Sequence, residues 1–180
     1  EKVRHHAVRA LRELGDKNVV NALIALLNDK SYPVRLEIPF ALAELGDSTT
    51  IELLLAHLGD ENHFVRVWLS YALWRLKNSE TIHSIIPYLN DSSKYVRMAA
   101  LLAVGWFKHS VSKNIVIKAL FDEEHDVRMT AAEALWRLGD LSAINSLCEL
   151  LKDENSQVRK ACVNSLRELD AIQAVEDLLP

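Results

Sequence analysis

Seven histidines, two cysteines and a recurring arginine are the residues of this 180-residue chain whose types could do chemistry. Histidine and cysteine can ligate a metal or act as base and nucleophile, and a guanidinium can grip a carboxylate or phosphate. Their spacing argues against catalysis. His57, His63, His83, His109 and His125 are expected on the first helix of each repeat or in turns, with no paired ligand one helical turn away, so they read as surface or capping groups. Cys148 and Cys162 form no CxxC pair and no disulfide framework, which suits a reducing compartment. They fall in otherwise apolar columns and are expected to be buried and unreactive. No metal and no cofactor is implied.

The arginine leads to the elements that must position it. Val-Arg occurs at Val3-Arg4, Val34-Arg35, Val65-Arg66, Val96-Arg97, Val127-Arg128 and Val158-Arg159, each step being 31 residues (34 − 3 = 31). In phase with it run Ala10, Ala41, Ala72, Ala103, Ala134 and Ser165, then Leu14, Leu45, Leu76, Phe107, Leu138 and Leu169. Asp29, Asp60, Asp91, Asp122 and Asp153 stand five residues before the later valines. Six copies in register identify a repeat protein.

Each period divides into two amphipathic helices. The second, helix B, is expected near 3–14, 33–45, 64–76, 95–107, 126–138 and 157–169. It ends at Gly15-Asp16, Gly46-Asp47 or Gly139-Asp140, where glycine suits a C-terminal cap and aspartate caps the next helix. The first, helix A, is expected near 18–28, 49–58, 80–89, 112–121, 142–151 and 172–179. "ALWRLKN" and "AVGWFKH" lack the Gly-Asp ending, and Pro39 and Pro87 are expected inside helices that they bend. Neither helix alone can bury its apolar stripe, so neighbouring pairs must stack into an α-solenoid, an all-α superhelix of about six antiparallel pairs spanning 1–180. The chain starts on a B helix and stops on an A helix, each with an apolar stripe. That leads us to expect a piece of a longer array, or ends that pack on further repeats or other chains.

With 49% apolar residues, five glycines and four prolines, the composition favours a helical core. A net charge of −4 provides no general field for nucleic acid. No apolar run approaches the roughly 18 residues of a membrane helix and no signal peptide stands out, so a soluble cytoplasmic protein without a membrane partner is expected.

The pattern "VRxxAxxALxxLGD", carried by "VRHHAVRALRELGD" and "VRMTAAEALWRLGD", resembles the short HEAT-like repeats first named for phycobilisome lyases. The resemblance covers essentially the whole chain. It implies A helices on the convex side and B helices along the concave one, and it leaves function open, since such repeats serve scaffolds, chromophore lyases and an iron hydroxylase. In that hydroxylase type His-Glu pairs after Val-Arg hold iron. Here those positions are His5-His6, Leu36-Glu37, Val67-Trp68, Met98-Ala99, Met129-Thr130 and Lys160-Ala161, so the resemblance gives no support to di-iron chemistry.

The Val-Arg arginines and the aspartates are expected to form a structural ladder at the A-to-B turns, tying carboxylate and carbonyls across neighbouring repeats. On helix B the valine and the positions four, five, seven, eight and eleven after it should build the core. The complementary face, one before and two, three, six, nine and ten after, is polar in the first and last repeats. In the middle it carries Leu36, Phe40, Phe64, Val67, Trp68, Tyr71, Trp74, Tyr95, Met98, Leu102, Trp106 and Met129, flanked by Glu37, Glu44, Arg75, Glu133 and Arg137. Trp74 and Trp136 stand at its less exposed edge, where a ring could instead wedge between adjacent B helices.

An aromatic patch with a mixed-charge rim suits a protein surface, so the leading expectation is a non-enzymatic scaffold holding a protein or peptide in the concave groove. Arg75 and Arg137 count among its contact residues. Two alternatives differ in class. A bilin lyase-like protein would shelter a tetrapyrrole against the aromatic walls. A nucleic-acid-binding HEAT-like protein would stack bases there, but the same face carries Glu37, Glu44 and Glu133 where phosphate contacts demand a basic track.

Overall fold

The computed structural model describes residues 2–46, 48–76, 81–107 and 113–170, and among them every regular element is helical. Two compact units divide at Ile85/Ile86. In the first, α1 (Lys2–Leu14), α3 (Tyr32–Leu45) and α5 (His63–Arg75) are the Val-Arg helices, alternating with the short α2 (Val20–Ala25), α4 (Ile51–Leu55) and α6 (Thr81–Ile85). Helix α3 packs between α1 and α5, with α2 on α3 and α4 on α5. In the second, the Val-Arg helices are α7 (Lys94–Trp106), α9 (His125–Leu138) and α11 (Ser156–Glu168), alternating with α8 (Lys113–Ala119) and α10 (Ile144–Glu149). There α9 packs between α7 and α11. The chain has an all-α, HEAT-like repeat fold. The helix expected at 172–179, Asp47 and His109 lie outside the described residues.

The A segments are not continuous α-helices. Their ends tighten into 3-10 turns at Leu26–Asn28, Ile86–Asn90 and Leu150–Lys152. The last carbonyls of a helix have no i+4 partner, and an i+3 bond satisfies them in less length. Each tightened end delivers the repeat aspartate: the amides of Asp29, Asp60, Asp91, Asp122 and Asp153 donate to carbonyls three residues back at 3.1–3.3 Å. Pro87 therefore sits in a 3-10 turn rather than inside an α-helix, whereas Pro39 is inside α3. Two expected caps also diverge. Gly139 is left-handed (φ 66°), but Gly46 is extended (φ −73°, ψ 170°).

The core follows the Val-Arg helices. Val34, Ile38, Ala41, Leu42 and Leu45 of α3, Val65, Leu69, Ala72 and Leu73 of α5, and Val127, Ala131, Ala132, Ala134, Leu135 and Leu138 of α9 are buried. Leu23, Leu54 and Leu58 meet them from the A side, and each fully buried leucine contributes about 1.5–3 kcal/mol over its exposed state. The same columns open at α1, where Val3 and Leu14 are exposed, and at Val163 of α11. The expectation that they build core in every repeat is corrected there. A second correction concerns the complementary face: Ala99, Thr130 and Ala161, three residues after the valine, are buried. A helix stacked between two others buries more than half its circumference, so a small residue in that column marks a neighbour's path. Gly105 shows how close the path is. A Cβ there would lie 3.2 Å from Ala134 Cα and 3.3 Å from Arg137 Cδ.

Arginine and aspartate run alongside this core as a ladder. Arg35 donates from Nε and Nη2 to both carboxylate oxygens of Asp60 (2.7 and 3.1 Å), and from Nη1 to the Asp29 carbonyl (2.8 Å). Arg97 repeats the geometry with Asp122 (2.8 and 2.8 Å) and the Asp91 carbonyl (2.8 Å). Arg128 repeats it with Asp153 (2.8 and 3.1 Å) and the Asp122 carbonyl (2.9 Å). Arg4 grips Asp29 in the same way. Each carboxylate also accepts the amide two residues on, Ser31, Asn62, Ser93, Glu124 or Asn155, at 2.8–3.0 Å. The aspartate thus closes its own turn and receives the preceding repeat's arginine.

These bonds show in the acidities. The Arg4 guanidinium, then the Ser31 amide, hold the Asp29 carboxyl below its ordinary 3.8. Burial pushes Asp153 up, but the hydrogen bonds from Arg128 and the Asn155 amide outweigh it and leave the carboxyl below 3.8. Hydrogen bonding to aspartate likewise holds Arg35, Arg97 and Arg128 above the usual guanidinium value against the opposing effect of burial.

A carboxyl more acidic in the folded than in the unfolded state stabilises the fold above its unfolded pKa, and that stability is lost as pH falls through the folded value. Thermal melts should therefore hold steady from neutral pH down to about 4 and drop steeply below it, with Asp153→Asn flattening the acid limb. Overpacking the α7–α9 contact with Gly105→Val should destabilise by about 1–3 kcal/mol, read as a lower urea midpoint at unchanged slope.

Candidate functional site

Helices α1, α3 and α5 bring one line of side chains together on the side away from the core. The Arg12 guanidinium lies 4.7 Å from the centroid of Phe40. Phe40 meets Trp68 edge to face at 5.1 Å, Trp68 meets Tyr71 edge to face at 5.4 Å, and Tyr71 meets Trp74 at 5.5 Å. All four rings are half-buried. The line is oblique: Arg12 stands nine residues after its valine (12 − 3), Phe40 six (40 − 34) and Trp68 three (68 − 65). Carboxylates border it. Glu37 and Glu44 lie 3.5 and 3.9 Å from Arg12, and Glu37 lies 3.8 Å from His5. Leu36 and Val67 are half-buried beside these rings in sequence, Phe64 is 57% exposed, and Arg75 is exposed.

The remaining expected residues belong to the second unit. Helix α7 supplies Tyr95, Met98, Leu102 and Trp106, and α9 supplies Met129, Glu133, Trp136 and Arg137. Tyr95 is exposed and the others half-buried. The Arg137 guanidinium lies 4.8 Å from the Trp106 ring and 5.2 Å from the Trp136 ring. Lys94 lies 5.7 Å over Tyr95 while bonding Glu124 and Asp126 at 3.1 and 3.3 Å. Glu124 and then Asp126 hold its ammonium above the usual lysine value.

Arg12 was missed by the sequence reading, which placed it on a polar first-repeat face. The available signal was a spacing of 28 residues from Arg12 to Phe40 and from Phe40 to Trp68, one period less one helical turn. Exposed Leu53, Phe121 and Leu141 were also missed; each comes from an A segment or the turn beside it, and scattered single apolar residues are ordinary surface.

Of the described histidines, His5 lies 3.8 Å from Glu37 at the border of the first aromatic line and His63 packs on Phe64 with ring centroids 4.3 Å apart. His63 and His125 begin Val-Arg helices, correcting their expected place on A helices or turns, and His57 lies 2.7 Å from the Leu53 carbonyl. Among the described residues no three His, Cys, Asp or Glu side chains gather as a metal site, and no helix is long and apolar enough to cross a membrane. Cys162 is buried, and burial pushes its thiol up to about 12. Cys148 is only half-buried, against expectation, though burial raises its pKa too. Its column is half-buried at Ile24, Ile86 and Ile117 as well, because it lies at the rim of the A-helix stripe.

A family model described as HEAT repeats matches residues 1–74 and 114–180. The chain belongs to the HEAT-repeat family. As a HEAT-repeat protein it is similar to the Escherichia coli protein YibA, at 24% identity and TM-score 0.61 over 93% of this chain and 66% of that one. An engineered protein aligns at 20% identity and TM-score 0.54, over 96% of this chain and 53% of that one. Human deoxyhypusine hydroxylase, solved with glycerol, aligns at 17% identity and TM-score 0.52, over 93% and 79%. At these identities the likeness is one of fold. No curated protein matches.

The two thiols offer a check on the placement. At mildly alkaline pH a maleimide should modify Cys148 before Cys162, and Cys162 should react at rates set by unfolding; equal rates for both in the native protein would contradict the burial described.

Proposed function

We propose that this HEAT-repeat chain is a non-enzymatic scaffold that binds a protein or peptide along the aromatic faces of its Val-Arg helices. The observation that carries the proposal is the continuous line Arg12, Phe40, Trp68, Tyr71, Trp74: large rings placed off the core, each braced by the next, with carboxylates at the border. Rings braced in this way keep few rotamers to lose on binding, and aromatic anchors ringed by polar groups dominate protein-binding energetics. Leu36, Phe64, Val67 and Arg75 extend this face in the first unit. Tyr95, Met98, Leu102, Trp106, Met129 and Arg137 form its counterpart in the second. The free cysteines suit a cytoplasmic setting. The nucleic-acid reading is not carried forward, because a phosphate track would meet Glu37, Glu44 and Glu133 on the faces that bear the rings, and no observation favours the bilin reading over a peptide.

Selection from a random displayed peptide library tests the proposal. Peptides recovered on the wild-type chain should bind Trp68→Ala/Tyr71→Ala at least about tenfold more weakly while the melting temperature stays close to wild type. Undiminished binding to that variant would move the site off this face.

A further inference from the structure

We infer that Arg137, held against the indoles of Trp106 and Trp136, is an anchor for a carboxylate of an acidic peptide. The inference rests on the peptide-binding reading above and specifies the partner's charge.

Three observations in the second unit converge on this residue. The first is the path of the side chain: its Cδ lies only 3.3 Å from where a Cβ on Gly105 would stand, so the absence of a side chain on that residue of α7 leaves room for the arginine stem. The second is the stacking, with the guanidinium carbon 4.8 and 5.2 Å from the two ring centroids. The third is its lack of an acceptor. Arg137 Nε is buried with no hydrogen-bond partner among the described residues, although Glu133 stands one turn earlier on the same helix. Arg97 and Arg128 of the same unit show the contrast, each saturated by a bidentate aspartate and turn carbonyls.

The guanidinium cannot offer its buried Nε to an outside partner, so a ligand meets Nη1 and Nη2, which make no hydrogen bond among the described residues. Its planar fork matches the two oxygens of a carboxylate approaching in its plane, and the indoles exclude water and strengthen that bond. A single carboxylate fits better than a polyphosphate. Phosphate backbones are held by several cations together, and here Lys94 is engaged by Glu124 and Asp126 while Arg97 and Arg128 are engaged by the ladder.

The peptides selected from the displayed library supply the probes. They should carry an aspartate, a glutamate or a free C-terminus at a shared position, and amidating that group should weaken binding to the full chain at least about tenfold. Arg137→Gln should produce the same loss, and the two changes together should lose no more than either alone. Arg137→Lys, which keeps charge and stem, should lose an intermediate amount, and melting temperatures of both variants report on the fold. A library that yields no binders overturns the peptide-binding reading and this anchor with it. Binders without a shared acidic group, or losses that simply add, overturn the anchor alone. Displacement of the peptide by oligothymidylate, abolished by Arg137→Gln, would overturn a peptide carboxylate in favour of nucleic acid.

Discussion

The charged ladder is the interaction on which the rest of this fold depends. Arg35, Arg97 and Arg128 are each less than a tenth exposed, and an isolated charge so placed would be strongly unfavourable. It is tolerated because the Nε and Nη2 donors reach one carboxylate and Nη1 reaches the carbonyls of the arginine's own turn. The same aspartate oxygen that receives the guanidinium also closes the next turn. One residue pair therefore couples local turn geometry to the stacking of consecutive hairpins, and a repeat one residue longer or shorter would break the bond in both places. The constant 31-residue step of the sequence is the visible consequence.

Fixing the turns fixes which side of each Val-Arg helix meets its neighbours. Within each unit the middle helix, α3 or α9, touches a like helix on both sides, and only a limited arc remains off the core. Phe40 occupies that arc on α3 and Trp136 on α9, with Trp68, Tyr71 and Trp74 of α5 and Trp106 of α7 beside them on the adjoining helices. They are neither core residues displaced outward nor free surface rings: each lies edge to face or at a tilt against another ring, or against an arginine. A surface braced by its own contacts can present aromatic area without collapsing onto the protein, which is the property a binding face needs.

Much of this was legible in the sequence, and the places where it was not share one cause. The Val, Ala and Leu columns named the core of α3, α5 and α9 because burial there repeats with the period. The identity of each arginine's carboxylate did not follow, since Arg35 stands six residues after Asp29 and 25 before Asp60, and 6 + 25 is the period itself. A periodic sequence cannot distinguish two partners one period apart; the structure assigns the carbonyl to the first and the carboxylate to the second. The buried Ala99, Thr130 and Ala161 escaped notice because a helical wheel drawn for one helix ignores the helices on either side. The oblique contacts of Arg12 with Phe40 and of Phe40 with Trp68 were hidden for the same reason, being relations between repeats rather than within one. Cys148 looked buried because its column is apolar, yet an apolar residue at the rim of a stripe remains half open.

The most direct test of the ladder is a double-mutant cycle on Arg97 and Asp122, both in the second unit, with stability read from urea unfolding of Arg97→Met, Asp122→Asn and the pair. The account predicts a coupling energy of roughly 1.5–3 kcal/mol, the double variant being far less destabilised than the sum of the singles. Single losses that add within about 0.5 kcal/mol would show the two side chains to be independent and would leave the constant spacing of the repeats without its physical cause.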